Sequence, residues 1–347
     1  MHKHLTLVFV TALVAGLMIA VTIPLTKAHA VTRVVNVPAG ADVAQVVNAD
    51  SATTATAFQL AANTTYRVDA LIVLKPGDEL RGAVPSGTPR KVGPATDPDP
   101  TTKLVNGAAL ESLIALRGDN AITWLDISGA DFKGRAGGGS AIAAASGNDN
   151  TLIQFDRIHD NGAAGITNAR GHILDNEIDH NTTEPAALGV IAAGVKGIYE
   201  YEAGRNYIHD NVGHGLWGDV HMKDTDVGSF NVHDNYVYNN GRAGVRFEQT
   251  ECSGAEFNAV GNVIQDNGWE SVRGGVSIHD ACNSYVANNT FGANKDKLGV
   301  LITDSGRSDR PDTKNATVEN NTMTADIVKL GTGVSASADN IVVRNNN

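Results

Sequence analysis

The chain has 347 residues, enough for one large domain or two ordinary ones, and a hydrophobic fraction of 42% that excludes a wholly disordered protein. It carries 27 Lys+Arg against 38 Asp+Glu, a formal net charge of −11. This balance argues against a nucleic-acid-binding protein, which needs a positive surface to contact phosphates. Two cysteines are too few for a disulfide scaffold or for a multi-cysteine zinc or iron–sulfur site.

The first thirty residues have the features of a secretory signal peptide. A short start contains Lys3, Leu5–Ile23 is an apolar or small stretch of 19 residues, and Ala28-His29-Ala30 is an A-x-A cleavage pattern. We expect cleavage after Ala30, which removes two lysines and no acidic residue and leaves a secreted chain, residues 31–347, with a net charge of −13. The alternative is an uncleaved N-terminal anchor, because 19 apolar residues can span a bilayer. No later segment is apolar enough to cross a membrane, so no stable membrane insertion is predicted after cleavage.

From about residue 150 one phrase keeps returning: Asn, any residue, a branched apolar residue, two polar residues, Asn. The copies begin at residues 156 (an Asp), 176, 206, 235, 262, 289 and 321. After most copies a glycine opens a short apolar strand, as at Gly165, Gly215, Gly244, Gly275 and Gly299. Such units of short strands and Asn/Gly turns cannot bury an apolar face alone, so they must stack. Stacking places each Asn over its copy, where side-chain amides can bond along the stack, and 26 of the 31 Asn lie at or after residue 148.

This repeat resembles that of the right-handed parallel β-helix proteins of the pectin-lyase-like superfamily, in its generic right-handed β-helix repeat branch. The resemblance covers nearly all of the mature chain and implies an all-β, single-stranded right-handed parallel β-helix (a solenoid) of roughly ten to twelve coils. We expect one domain over residues 31–347. Its parts are an N-terminal cap and first coils at 31–83 with a helix near Asp42–Val47, a Pro-rich loop at 85–103, a flexible loop at Gly134–Ser140, regular Asn-rich coils at 148–347 and an insertion at Thr182–Val195.

Alternation along the strands that follow the glycines predicts which side chains point outward. Leu216, Val220, Val245 and Phe247 are predicted inward. Two outward files result, one of Trp217, Arg246, Ser277 and Leu301 and the other of Asp219, Glu248, His279 and Thr303. Two carboxylates and an imidazole in successive coils suit acid/base cleavage of a glycosidic bond, with one carboxylate charged and the other protonated.

We therefore predict a catalytic set of Asp219, Glu248, His279 and Arg246. The predicted substrate-binding residues are Trp217, His221, Lys223, Tyr199 and Tyr201. The alternative is a face that is charged only for solubility, with Arg246 and Asp219 as an ordinary cross-strand pair.

The reaction class stays open between three possibilities. Hydrolysis of an extracellular polysaccharide through Asp219 and Glu248 is slightly favoured. The superfamily also implies β-elimination in a uronate polymer, with Arg246, Lys223 and His279 as the reacting groups and Ca²⁺ as a possible cofactor. Gly213-His214-Gly215 and Gly244-Val245-Arg246 resemble two signatures of polygalacturonase-like hydrolases, but the Asp-rich signatures of that group and the alginate C5-epimerase signature are missing. The third possibility is a non-catalytic carbohydrate-binding or surface-structural protein.

Two smaller features complete the predictions. Cys252 and Cys282 lie one coil apart, so they form either a disulfide or a buried pair of thiols. The repeated His-Asp turns at His159, His209 and His233 are interpreted as structural. The expected partner is a polysaccharide, and the protein is expected to be a monomer that does not bind nucleic acid.

Overall fold

The computed structural model describes residues 31–85, 100–134, 138–144, 150–197, 201–222, 229–250, 252, 256–271, 273–308 and 311–347, without the side chains of residues 220–222 and 250. Residues 31–347 form one compact unit. The predicted signal peptide (1–30) and most of the predicted Pro-rich loop (86–99) lie outside the described residues, and so do residues 135–137 of the loop predicted at Gly134–Ser140. No helix in the described ranges has the length and apolar character needed to cross a membrane.

Short strands make up almost all the regular structure of the described residues. The first are β1 Arg33–Val37, β2 Thr56–Leu60, β3 Thr65–Val68, β4 Ile72–Val73, β5 Glu79–Arg81, β6 Thr102–Asn106, β7 Ser112–Leu116, β8 Ala121–Thr123, β9 Leu125–Ser128 and β10 Ser140–Ala144. The middle strands are β11 Thr151–Gln154, β12 Arg157–His159, β13 Ile166–Thr167, β14 Gly171–Leu174, β15 Glu177–Asp179, β16 Ala193–Gly197, β17 Tyr201–Gly204, β18 Tyr207–His209, β19 His214–Met222, β20 Ser229–His233 and β21 Tyr236–Tyr238. The last are β22 Val245–Thr250, β23 Glu256–Val260, β24 Val263–Gln265, β25 Val276–Ala287, β26 Thr290–Gly292, β27 Leu298–Thr303, β28 Lys314–Glu319, β29 Thr322–Thr324, β30 Ile327–Leu330 and β31 Val342–Arg344.

These strands form three parallel sheets that run the length of the unit. Sheet A contains β1, β2, β5, β8, β11, β14, β17, β20, β23, β28 and β31. Sheet B contains β3, β6, β9, β12, β15, β18, β21, β24, β26 and β29. Sheet C contains β4, β7, β10, β13, β16, β19, β22, β27 and β30. The long strand β25 pairs in sheet C through its first half and in sheet A through its second half. Each coil thus contributes one strand to each sheet, which is the predicted parallel β-helix.

Inward side chains of the three sheets meet in one apolar core. Leu216, Val245, Phe247 and Val276 are fully buried, as the alternation predicts. Rings fill the wider coils, and those of Phe247 and Phe257 stack with centroids 4.6 Å apart. The helix predicted near Asp42 is present as α1 (Val43–Asn48), where the Asp42 side chain accepts a hydrogen bond from the Gln45 backbone N–H at 3.0 Å.

Buried asparagines form two ladders along the axis. The first contains Asp156, Asn176, Asn206, Asn235, Asn262, Asn289, Asn321 and Asn346, and the second contains Asn161, Asn181, Asn211, Asn240, Asn267, Asn294 and Asp326. Each amide bonds the next: the Asn211 Nδ2 donates to Asn240 Oδ1 at 2.9 Å and to the Ile178 carbonyl at 3.0 Å. The left-handed conformation falls on the residue before each ladder Asn, such as Asp210 with φ 52°. The ladders therefore confirm the predicted stacking, and an adjacent residue makes the turn.

A file of glycines forms the corner where sheet C begins. In the coil of Gly215, an added Cβ would lie 2.6 Å from the Gly244 carbonyl oxygen and 3.0 Å from Asn240 Nδ2. The same close approach to the next coil recurs at Gly165, Gly194, Gly244 and Gly275. No side chain fits at these five positions, so glycine sets the start of the sheet C strands from β13 to β25, whereas β10 has Ala141 at the equivalent place. We call this file the glycine corner.

The insertion predicted at Thr182–Val195 ends earlier than predicted, because its last three residues already belong to β16. It contains a 3₁₀-helix at Pro185–Gly189, whose Ala187 packs with Ile191, Ala163 and Phe132 in a small apolar cluster separate from the core. A second short 3₁₀ turn occurs at Lys295–Lys297. The insertion thus borders sheet C at the coil where the predicted site begins.

Candidate functional site

The outer side of sheet C carries the predicted files in the predicted register. Side-by-side pairs in one file are Trp217 with Arg246, Arg246 with Ser277, and Ser277 with Leu301. In the other file the pairs are Asp219 with Glu248, Glu248 with His279, and His279 with Thr303. Lys196 on β16 precedes Trp217 in the first file. We call the outer side of these strands, from Lys196 to Thr303, face C.

Lys196 is a member of face C that the sequence analysis does not predict. In the sequence, either Gly194 or Gly197 could be the glycine that opens the sheet C strand of this coil. The structure pairs Val195 with Leu216, so Gly194 takes the place of Gly215 at the corner. The signal was present, because Lys196 is the second residue after its corner glycine, as Trp217 is after Gly215.

Two ion pairs and one tryptophan tie the first coils of face C together. Lys196 Nζ lies 2.8 Å from Asp219 Oδ2 and 3.6 Å from the centroid of the Trp217 ring. In the next coil Arg246 Nη2 lies 2.6 Å from Glu248 Oε1. Trp217 Nε1 donates to the other oxygen of Glu248 at 3.1 Å, so the indole bridges both pairs and fixes their orientation.

The protonation states differ from those that the sequence predicts for a catalytic carboxylate pair. Burial alone would raise the pKa of Glu248, but the Arg246 guanidinium, with a smaller contribution from His279, holds that pKa below its ordinary value. Glu248 is therefore ionised at neutral pH, and Asp219 has a cationic partner of its own in Lys196. The structure thus does not support a shared proton between these two carboxylates.

His279 lies at the open end of the cluster. Burial, together with the charge of Arg246, lowers the pKa of His279 although Asp280 and Glu248 act in the opposite direction. The imidazole is therefore neutral at neutral pH. Its Nδ1 lies 2.7 Å from the Thr303 hydroxyl oxygen, while Nε2 lies 3.6 Å from an oxygen of Asp280. A neutral, oriented imidazole of this kind can accept a proton.

Face C points outward, but much of it is covered. Trp217, Arg246, Glu248 and Lys196 are each at least nine-tenths buried. Lys196 Nζ donates to the Val190 carbonyl at 2.9 Å, which joins the insertion before β16 to the cluster. The accessible members of the predicted catalytic set are Asp219 and His279, whose side chains keep 22% and 21% exposure, and Leu301 and Thr303 are also partly exposed. A ligand therefore meets the rim that contains Asp219 and His279 first.

The remaining predicted binding residues do not lie on the described part of face C. Tyr201 is wrong as a site residue, because its ring points into the core and packs edge-on against Phe230 with centroids 4.9 Å apart. Burial raises the pKa of Tyr201, so the phenol stays neutral. Tyr199, Lys223 and the side chain of His221 lie outside the described residues.

Cys252 and Cys282 form a disulfide, with Cα atoms 4.9 Å apart. This decides between the two states that the sequence left open. Cys282 is buried within β25, in the stretch where that strand passes from sheet C to sheet A. The bond therefore ties the preceding coil to the strand that carries His279.

The histidines of the repeated His-Asp turns bond in the way a structural role requires. Nδ1 of His159, His209 and His233 lies 2.7, 2.7 and 3.0 Å from the carboxylate of the next residue. The Nε2 atoms of the three bond carboxylates of other coils, those of Asp126, Glu177 and Glu202 respectively. These bonds join neighbouring turns.

A possible metal cluster lies on sheet B, away from face C. Ligand atoms of Glu177, Asp179 and His209 lie within 4.8 Å of one another. The Arg157 guanidinium already bonds Asp179 at 3.0 Å and approaches Glu177 at 4.0 Å. Calcium prefers an all-oxygen set without such a competing cation, so these residues fit Ca²⁺ poorly.

No protein-family model and no curated protein sequence matches the chain. Among solved structures, the A-module of the mannuronan C-5 epimerase AlgE4 of Azotobacter vinelandii is similar, with a TM-score of 0.53 at 18% identity, over 88% of this chain and 92% of that one. ORF18 of Geobacillus virus E2 gives a TM-score of 0.56 at 10% identity, over 90% of this chain and 60% of that one. At such identities the likeness shows the fold alone, and the fold is the predicted right-handed parallel β-helix.

Proposed function

We propose that this protein acts on a polysaccharide that lies across face C. The observation that carries the proposal is the cluster itself: two ion pairs bridged by Trp217, with a neutral imidazole at the accessible end. Charged groups held in place by the buried indole are suitable partners for the polar substituents of a sugar, and Asp219 and His279 lie at the accessible rim. One structural neighbour with this fold is named as a mannuronan epimerase, and mannuronan is a polysaccharide.

The protonation states favour β-elimination over hydrolysis. Acid/base hydrolysis requires one carboxylic acid that holds a proton near neutral pH. Glu248 has a lowered pKa, and Asp219 is paired with Lys196, so neither is arranged as that acid. Hydrolysis through these two carboxylates is therefore the second candidate rather than the first.

Elimination uses the groups in the states that they have. In a uronate residue His279 takes the proton next to the carboxylate, and the electron pair of that C–H bond forms a carbon–carbon double bond. The bond from the neighbouring carbon to the glycosidic oxygen breaks, and solvent protonates the leaving oxygen. Lys196 and Arg246 supply positive charge near the carboxylate, where negative charge develops.

The first experiment is a cleavage assay of residues 31–347 on acidic and neutral polysaccharides, with and without Ca²⁺. New reducing ends together with the ultraviolet absorbance of an unsaturated product support elimination. His279→Gln is expected to lower that rate by about 100-fold or more, since general bases contribute about 10²–10⁴-fold. His180→Gln is the control, because that imidazole follows β15, is 55% exposed and bonds Asp179, away from face C.

Other outcomes separate the alternatives. Reducing ends without the ultraviolet signal, lost in Asp219→Asn and Glu248→Gln, would establish hydrolysis instead. Binding without any cleavage would favour a non-catalytic carbohydrate-binding protein.

A further inference from the structure

Positive side chains converge where face C meets the glycine corner. Val245 and Val276 pair in neighbouring strands, so Arg242 and Arg273, each three residues earlier, take equivalent positions in successive coils. Arg246 extends from β22 beside them. We call Arg242, Arg246, Arg273 and the neighbouring His214 the arginine corner.

The charges of this corner are not balanced. Arg242 Nε lies 2.9 Å from Glu270 Oε2, and Arg246 Nη2 lies 2.6 Å from Glu248 Oε1, so each of these arginines has one carboxylate. Among the described residues the Arg273 side chain has no hydrogen-bonding or ionic partner. Burial and the charges of Arg246 and Arg242 lower the pKa of Arg273 to about 10. One excess positive charge is thus held half-buried in a chain whose net charge is −11.

His214 is the second, independent sign of a ligand site. It is fully buried, and within the described part of the chain neither ring nitrogen has a hydrogen-bonding partner. Arg246 Nε, also buried, lacks a partner in the same sense. Burial and the nearby cations hold the pKa of His214 well below its usual range, so the ring is neutral and keeps one N–H to donate. Buried polar groups without partners are costly and normally indicate a missing acceptor.

We propose that the arginine corner binds an anionic group of the glycan, a carboxylate or a sulfate ester, and that Arg273 sets the preference for acidic over neutral sugars. A guanidinium presents paired donors to the oxygens of such a group. Arg246 Nε and the His214 N–H supply the further donors that the oxygens require. The Trp217 ring lies 5.1 Å from the His214 ring, so a sugar whose acidic group is held here lies beside the indole.

This inference rests on the proposed function only in taking the ligand to be a sugar. Binding is therefore measured without turnover, by isothermal titration calorimetry in a His279→Gln background. The probes are oligosaccharides of one length in three forms: neutral, uronate and sulfated. Three proteins are compared in this background: one without further change, one with Arg273→Gln and one with Arg344→Gln. The last is the control, because it removes the same charge from a 61% exposed side chain that pairs with Glu319.

The expected result is that an acidic form binds tighter than the neutral one by about tenfold or more, as for hydrogen bonds to charged groups. Arg273→Gln should abolish that preference and leave the weak binding of the neutral form unchanged, while Arg344→Gln changes neither. Preference for the uronate or for the sulfated form identifies which anionic group is bound.

Equal binding of neutral and acidic forms to the parent protein would overturn the inference. An equal loss in the Arg273 and Arg344 variants would do so as well, because it would indicate a general effect of charge. Selective acidic binding that depends on Arg273, in a protein that cleaves nothing, would sustain the inference and overturn the proposed function. Thermal unfolding monitored by circular dichroism confirms that each variant is folded.

Discussion

The asparagine ladders and face C belong to the same coils but treat buried polar groups in different ways. In the ladders the amide of Asn211 bonds Asn240, Ile178 and His209, and it accepts two bonds from Asn181. At the edge of face C, His214 and Arg246 Nε stay without partners among the described residues. Repetition therefore supplies partners to the buried side chains in the middle of the ladders, whereas Asp326 Oδ1 at the end of the second ladder lacks one among the described residues. Incomplete satisfaction at the edge of face C marks the place where a ligand is expected.

The largest expected effect tests the repeated side of this comparison. Gly215→Ala places a Cβ 2.6 Å from the Gly244 carbonyl oxygen, and that backbone atom cannot move away freely. We expect the free energy of unfolding to fall by about 3 kcal/mol, the upper end for overpacking. Gly189→Ala is the control, because its added Cβ meets no atom within 4 Å. Urea denaturation of both variants measures the difference, and equal midpoints would contradict the role of the corner.

The second-largest expected effect concerns the amides of the asparagine ladders. Asn211→Ala removes the acceptor of the Asn181 backbone N–H and one of the two acceptors of the Asn181 side-chain amide. It also removes the donor that Asn211 Nδ2 supplies to the Ile178 carbonyl. A loss of about 2 kcal/mol is expected, since an unsatisfied buried group costs about 1–3 kcal/mol. Asn36→Ala, at an exposed position of β1 with ordinary strand backbone, should change the stability by less than about 0.5 kcal/mol. Similar losses in the two variants would show that the ladder bonds contribute nothing special.

A substitution in the arginine corner should change the stability in the opposite direction. Arg273→Gln removes a half-buried charge that neighbouring cations repel, so unfolding should cost about 1 kcal/mol more than in the unchanged protein. The variant should be more stable and less selective for acidic sugars, a trade-off typical of functional sites. A decrease in its midpoint of thermal unfolding would count against an unpaired cation at this place.

The smallest expected effect is on the pH dependence of stability, in which a histidine of the turns and a histidine of face C should behave in opposite ways. The pKa of His233 is raised, chiefly by Glu202, so its contribution to stability is full below the unfolded pKa of about 6.5 and is lost as the pH rises through the folded pKa. The pKa of His279 is lowered, so acidification through about 6.5 destabilises the fold there. Relative to the unchanged protein, His233→Gln should lose more stability at acidic than at alkaline pH, and His279→Gln should do the reverse. Each difference should stay under about 1 kcal/mol. Thermal unfolding across this range measures both, and parallel pH profiles would refute the division.

The repeated part of the molecule was predictable because its signal recurs. Asn206, Asn235 and Asn262 stand in nearly the same context at near-equal spacing, so one interpretation explains all of them and sets the coil register. The same register correctly places Trp217 beside Arg246 and Asp219 beside Glu248.

The rest of the site depends on contacts that no pattern encodes. Lys196 was missed because two glycines compete in its coil, and Arg273 because it precedes β25. His214 opens β19 but lies before Gly215, the residue from which the alternation was counted. Tyr201 was misassigned for a different reason: its strand β17 belongs to sheet A, where its ring points toward Phe230. Protonation states depend on ion pairs between coils, and the lowered pKa of Glu248 could not be read from spacing.

The glycine corner also separates the residues that fix the backbone from the residues that carry the surface chemistry. The second and fourth residues after Gly215, Gly244 and Gly275 lie on face C, so the position of a residue relative to its corner glycine decides whether its side chain reaches that face. A coil of this protein can therefore be treated as an exchangeable unit. Moving the segment between two corner glycines would carry its pair of outward side chains to a new position along the axis and leave the corner glycines in place.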